Sequence, residues 1–372
     1  MKESKNKSNF CIRPFNSALI TTTGNLKICC KIDTKLTKFK NFKESNIEKD
    51  TIEQWWISDY NNYVRQSFLE NKKIKECARC WNQEKQGLAS HRIKANHDHK
   101  AIFQNRYERN LKLIGKDALP YPEDVEIQIT NLCNLKCQMC SGKHSSRLLV
   151  ENNALGYEKL NQKDYDLNDE NYEKIKNLVK HDIKLLNLIT TNGTICNSKI
   201  LYLLKHFKNV RLMLSIEGTG KHNEYMRYPS SWAEIKKNIK EFKTLNNIYL
   251  CINTVVQNLN ILYINELIEY AHQNNIYINL YLIENPDYLD AFNLPKKILQ
   301  GAYDKLKSIS DDKLIHTKNV EEIISLLKER LNNHVVDEKK YTQFTEMIKS
   351  RDRYRNVHIK NYMPELAREV YK

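Results

Sequence analysis

The sequence predicts an α/β protein in which parallel strands alternate with helices, with a small cysteine-rich module before them and a helical extension after them. Three observations carry that expectation. Between Tyr121 and Pro286, short apolar and β-branched runs alternate with amphipathic stretches, the pattern that joins parallel strands through crossover helices. After Pro295 the strand-like runs stop and helical periodicity continues alone. Before residue 100, Cys11, Cys29, Cys30, Cys77 and Cys80 cluster around turn and hairpin signals.

At 372 residues the chain is long enough for a large α/β domain plus smaller parts. The expected divisions are a module over residues 1–100, the strand-and-helix region over 121–294 and the helical extension over 295–372. No apolar run is long enough to span a bilayer, and no membrane partner is expected. The opening stretch Met1-Lys-Glu-Ser-Lys-Asn-Lys-Ser8 carries no apolar segment of the signal-peptide kind, so the expected address is cytoplasmic. Ten cysteines in such a chain argue for metal or redox work rather than a disulfide framework. The formal charge of +15 leaves nucleic acid open as a partner. It is not favoured, because the lysines are scattered over helical faces such as Ser231 to Lys240.

In the module, Thr21-Thr-Thr-Gly24-Asn-Leu-Lys-Ile-Cys29 reads as a hairpin whose Gly24 permits the tight turn. The Lys- and Asn-rich stretch from Lys35 to Lys49 reads as loop, and Ile52 to Tyr60 as a helix. Cys11, Cys29, Cys77 and Cys80 would bring four thiolates together, a set that suits zinc or an iron-sulfur centre on ligand type alone. Spacing does not decide between Cys29 and its neighbour Cys30.

The next region reads as strands over Val125–Thr130, Leu185–Thr190, Val210–Ser215, Ile248–Asn253 and Ile276–Ile283. Helices are expected over Asp169–Lys180, Lys199–Phe207, Ala233–Leu245 and Tyr263–Asn274, and beyond Pro295 over Lys296–Ser308, Val320–Leu331 and Glu338–Lys349. Cys196 and Cys251 sit beside apolar runs and read as small buried thiols. In alternating folds of this kind the chemistry gathers at the C-terminal ends of the strands.

Directly after the first of these strands comes Cys133-Asn-Leu-Lys-Cys137-Gln-Met-Cys140. Three thiolates on one short loop supply one metal centre and leave it a ligand short, which is a poor zinc site. For a [4Fe-4S] cluster the same shortfall leaves one iron open to a small molecule. With Met139 just before the last cysteine, this loop resembles the cluster loop of the radical S-adenosylmethionine (radical SAM) superfamily.

That resemblance implies a partial (β/α) radical SAM barrel, a site-differentiated [4Fe-4S] cluster on Cys133, Cys137 and Cys140, and SAM bound at the open iron. It also implies reductive SAM cleavage to a 5'-deoxyadenosyl radical, hydrogen abstraction from an unidentified substrate, and an external electron donor such as flavodoxin or ferredoxin. Thr190-Thr-Asn192-Gly193 resembles a cofactor-facing strand end, and Ser215-Ile-Glu-Gly218 with Arg227 resembles the segment that holds the SAM ribose or carboxylate. Asn253 would share that rim, and with Met139 and Asn192 it joins the cofactor-binding candidates; no catalytic residue stands out. The spacing Cys11-x12-Gly24-x4-Cys29, then Cys77-x2-Cys80, resembles the twitch module, a shortened SPASM domain that usually carries an auxiliary [4Fe-4S] cluster.

One departure from the family is plain. Among nine glycines there is no Gly-Gly pair, so the Gly-Gly-Glu-Pro-like segment that ends the second strand in the family has no counterpart. The linker from Lys180 to Leu185 is also too short for another strand and helix, so a barrel lacking the second β/α unit, with about five parallel strands, is expected. That departure leaves a non-catalytic iron-sulfur protein as one alternative, and the basic charge with the cysteines leaves a zinc-dependent nucleic-acid-binding protein as another.

Overall fold

The structure, a computed structural model, describes residues 9–21, 23–85, 87, 89–97, 122, 124–127, 133–158, 186–205, 209–311 and 318–372. The expected helix Asp169–Lys180, and the stretch in which the second β/α unit is expected to be missing, lie outside the described residues. The chain divides into two compact units, residues 1–131 with 164–188 and residues 132–163 with 189–372.

In the first unit, Pro14 starts a short helix α1 (Arg13–Asn16) that leads straight into strand β1 (Ser17–Ile20). Gly24, at φ +75°, turns the chain back into β2 (Leu26–Lys27), antiparallel to β1. That is the hairpin the sequence implies. The expected helix Ile52–Tyr60 is instead two: α2 (Ile52–Trp56), opened by a Thr51/Gln54 capping box, and α3 (Asp59–Leu69). The break comes from Ser58, whose hydroxyl accepts from Asn61 N at 3.3 Å and so starts a new helix. After α4 (Ala78–Lys85), strand β3 (Asp124–Ile127) adds to the sheet parallel to β1, giving the order β2-β1-β3. Phe15, Ile20, Ile47, Trp56, Val64 and Phe68 form this unit's core.

The second unit begins with the cysteine loop and α5 (Ser146–Ala154). Its sheet runs β4 (Leu186–Thr191), β5 (Asn209–Ser215), β6 (Ile248–Val256) and β7 (Tyr277–Leu282), in that order. β6 is parallel to both β5 and β7, in registers such as Ser215 opposite Asn253 and Asn253 opposite Asn279. Helices α6 (Ser198–Lys205), α7 (Gly220–Met226), α8 (Trp232–Phe242) and α9 (Ile264–Gln273) fill the connections. On β6 the residues Leu250, Ile252, Thr254 and Val256 are buried, and the apolar ones join Ile235, Ile239, Leu267 and Ile268 of the helices in one core.

The helices beyond Pro295 share that core. They are α10 (Lys296–Asp311), α11 (Lys318–Asn332), α12 (Glu338–Arg355) and α13 (Pro364–Val370), the last too short to show a period in the sequence. Leu299, Leu327, Phe344, Ile348 and Leu366 are its contributions. Among the described residues this parallel sheet has four strands rather than the five expected. The strand before the cysteine loop, β3, pairs with β1 instead. Among the described residues no helix is long and apolar enough to cross a membrane.

Candidate metal centre

The loop from Cys133 to Cys140 lies at the C-terminal ends of β4 and β5. Just past β4, Asn192 Nδ2 donates to Asn134 Oδ1 at 2.8 Å and points at Cys133 Sγ, 3.9 Å away. Thr194 N and Thr194 Oγ1 donate to Asn192 Oδ1 at 3.0 and 2.7 Å, which fixes the orientation of that amide. Just past β5, Glu217 and Arg227 form a buried ion pair, 1% and 9% exposed, with Nη2 of Arg227 at 3.2 Å from Oε1. The remaining arm of the guanidinium, Nη1, reaches Cys137 Sγ at 3.7 Å. Asn223 Oδ1 accepts from Glu217 N at 3.1 Å and steadies the acid.

Burial pushes the Cys137 thiol up to about 12 and that of Cys140 to about 11, against the opposing pull of Arg227. A metal would displace those protons, since a coordinating thiol is deprotonated outright. As placed, Cys140 Sγ donates to Ser141 O at 3.6 Å. Among the described residues no group of three or more His, Cys, Asp or Glu side chains stands ready-set around a metal position. The donor set nevertheless suits an iron-sulfur centre: three thiols within electrostatic reach of one another, with amide and guanidinium N–H groups turned to two of the sulfurs.

The other cofactor candidates fall nearby or on the same sheet. Ser215 ends β5 opposite Asn253. Asn253 donates to Met213 Sδ at 3.0 Å and accepts from Asn279 Nδ2 at 2.9 Å. Met139 is half-buried against the core. Arg227 does not present an open fork, because Glu217 and Cys137 take its three nitrogens. Glu217 lies inside the segment Ser215 to Gly218, but nothing in local spacing pairs it with an arginine ten residues on.

In the first unit, Cys11, Cys29, Cys77 and Cys80 line one small cavity of about 20 Å³. Four separate elements deliver them: Cys11 precedes α1, Cys29 follows β2, Cys77 ends the 3-10 turn Lys75–Cys77, and Cys80 lies in the first turn of α4. Cys30 is exposed and does not line it. Arg13, Lys31, His91 and Arg92, with apolar Ile32 and Phe68, complete the wall. Burial raises all four thiols, Cys11 to about 12. The basic wall offsets part of the cost of thiolates in such a space. Burial, with Arg13 and Lys31 beside it, lowers His91 to about 3, so its imidazole is neutral. The sequence carried no signal for His91, which follows Cys80 at no ligand spacing. A second cavity of about 420 Å³ is walled by Phe39, Phe42, Trp55 and Tyr60 with Lys27 and Lys40.

No protein-family model matches this chain, and no curated protein matches it. Among solved structures, it is similar to native anSMEcpe with bound AdoMet, at 18% identity over 49% of this chain and 57% of that one, with a TM-score of 0.36. It is also similar to Streptococcus suis SuiB bound to S-adenosylmethionine, at 16% identity over 80% of this chain and 69% of that one, with a TM-score of 0.37. The chain thus spans little more than half the length of anSMEcpe. Likeness of this order leaves the site to be read from its own geometry.

Proposed function

We propose that this chain is a radical SAM enzyme with two iron-sulfur centres. Cys133, Cys137 and Cys140 hold a [4Fe-4S] cluster with one open iron, and Cys11, Cys29, Cys77 and Cys80 hold the auxiliary one. Held on the loop, such a cluster would supply the one-electron reduction that splits SAM into methionine and a 5'-deoxyadenosyl radical, which would take hydrogen from a substrate.

The observation that carries this reading is the three-cysteine loop set at the C-terminal ends of two parallel strands, with Asn192 and Arg227 turned to its sulfurs. Arg227 keeps its proton because Glu217 more than offsets the cost of burial, so it holds a fixed positive charge beside Cys137. Ser215 and Asn253 present polar groups at neighbouring strand positions, where SAM would be oriented. The electron donor is external, of the flavodoxin or ferredoxin kind, and the compartment is the cytoplasm.

The test is iron and sulfide content of anaerobically reconstituted protein, with electron paramagnetic resonance of the reduced state with and without SAM. We expect two clusters, a spectrum changed by SAM, and 5'-deoxyadenosine on turnover. A fully loaded loop cluster blind to SAM and yielding no 5'-deoxyadenosine would favour a second reading, a non-catalytic iron-sulfur protein. What supports that rival is the absence of any Gly-Gly pair. Zinc without iron or sulfide would overturn both.

A further inference from the structure

Helix α12 reaches the cysteine loop from 213 residues away. Arg351 Nη1 donates to Gln138 O at 2.8 Å and to Gln138 Oε1 at 2.9 Å, while its Nη2 donates to Asn152 Oδ1 at 3.0 Å. One turn on, Arg355 Nη2 donates to Lys136 O at 2.7 Å and to Glu151 Oε1 at 2.6 Å. The two carbonyls so held belong to the residues on either side of Cys137. The N–H groups of those same two residues are taken as well, Lys136 N by Tyr228 O at 2.5 Å and Gln138 N by Met226 O at 2.8 Å. The peptide groups flanking Cys137 are therefore pinned from both sides.

The brace is also charged. Lys136, Arg351 and Arg355 converge on a single carboxylate, Glu151, which is fully buried. Within that group three cations face one carboxylate. Burying guanidinium groups to hold two main-chain carbonyls is a costly way to stabilise a loop. The arrangement makes sense where a loop must keep one geometry and where a nearby centre carries negative charge.

We propose that α12 is a clamp on the cluster loop. Arg351 and Arg355 are positioning residues that fix Cys137 through its neighbouring peptides, and their charge raises the reduction potential of the centre held there. The inference rests on the reading that the loop binds an iron-sulfur cluster. Adding an electron to a thiolate-bound cluster adds negative charge, and buried cations close by favour that state.

Two measurements on the full chain test it, one of them needing no cluster. In the metal-free protein, iodoacetamide alkylation of Cys137, followed by mass spectrometry of its peptide, should run at least tenfold faster in Arg351→Ala than in wild type. Circular dichroism identifies variants that keep the fold. Should an alanine variant fail to fold, Arg351→Lys and Arg355→Lys keep the charge and lose the fork, and Cys137 alkylation should still accelerate. In reconstituted protein, the midpoint potential of the SAM-responsive centre should fall in Arg355→Ala and stay near wild type in Arg355→Lys. Unchanged alkylation in folded Arg351→Ala or in the lysine variants overturns the clamp. An unchanged potential in Arg355→Ala overturns its electrostatic part. If wild type takes up no iron, the cluster reading has failed, and the alkylation rates still decide whether α12 holds Cys137.

Discussion

At the scale of single residues, Arg227 shows how a side chain's partners decide its job. A fork-shaped guanidinium suits a carboxylate, and the family resemblance implies that Arg227 holds the ribose or carboxylate of SAM. In the structure the fork closes on Glu217, and what is left faces Cys137 Sγ. Removing one member of a buried pair strands the other, so Glu217→Ala should cost about 3–5 kcal/mol in denaturant unfolding of the metal-free chain. Arg227→Lys should lose less stability, because it keeps the charge, yet it gives up the planar geometry that serves Glu217 and Cys137 together. A stability loss below about 1 kcal/mol for Glu217→Ala would mean that the pair is solvated in solution. Such pairings were illegible in the sequence for a simple reason. Glu217, Arg227 and Cys137 meet only when β5, α7 and the loop are folded together, and no periodicity encodes the meeting. His91 is a second case, since its imidazole reaches the cysteine cavity from a segment with no metal-ligand spacing.

At the scale of elements, local chemistry was legible and partner choice was not. Gly24 announced its hairpin, and the apolar run Ile248–Asn253 announced a strand that the structure extends to Val256. Ser58 should have split the expected helix, as a serine before Asp59 is a good N-cap. Ser58→Ala should cost about 1 kcal/mol in thermal or chemical unfolding, through the lost bond to Asn61 N. Val125 to Ile127 looks the same whether it joins a parallel barrel or pairs with β1, because both demand the same apolar run. The joint between α5 and α12 gives a pH dependence. Burial alone would raise Glu151, but the hydrogen bonds and charge of Arg355 and Lys136 more than offset it and lower its pKa. A carboxylate depressed on folding stabilises the protein above its unfolded pKa of about 4.3, and that stability drains away as pH falls through the folded value. Glu151→Gln should therefore be less stable than wild type at pH 7 and lose less on going from about pH 5 to pH 3. Parallel acid-unfolding curves for the two proteins would exclude Glu151 from this role.

At the scale of the whole molecule, the two cysteine sets fall in different compact units. Cys11, Cys29, Cys77 and Cys80 are carried by residues before 131, whereas Cys133, Cys137 and Cys140 belong to the unit that also contains β5 to β7 and the C-terminal helices. Each set has its own cations among the described residues, Arg13, Lys31 and Arg92 in one case and Arg227 in the other. Cys77→Ala should remove the iron of the first site and leave the SAM-sensitive resonance intact. Cys137→Ala should do the reverse, halving the iron content and abolishing the response to SAM. Loss of all iron in either variant would show that the two sets assemble a single centre. The division of the cysteines into two sets, drawn from spacing alone, would then be wrong despite the separate cavity in the first unit.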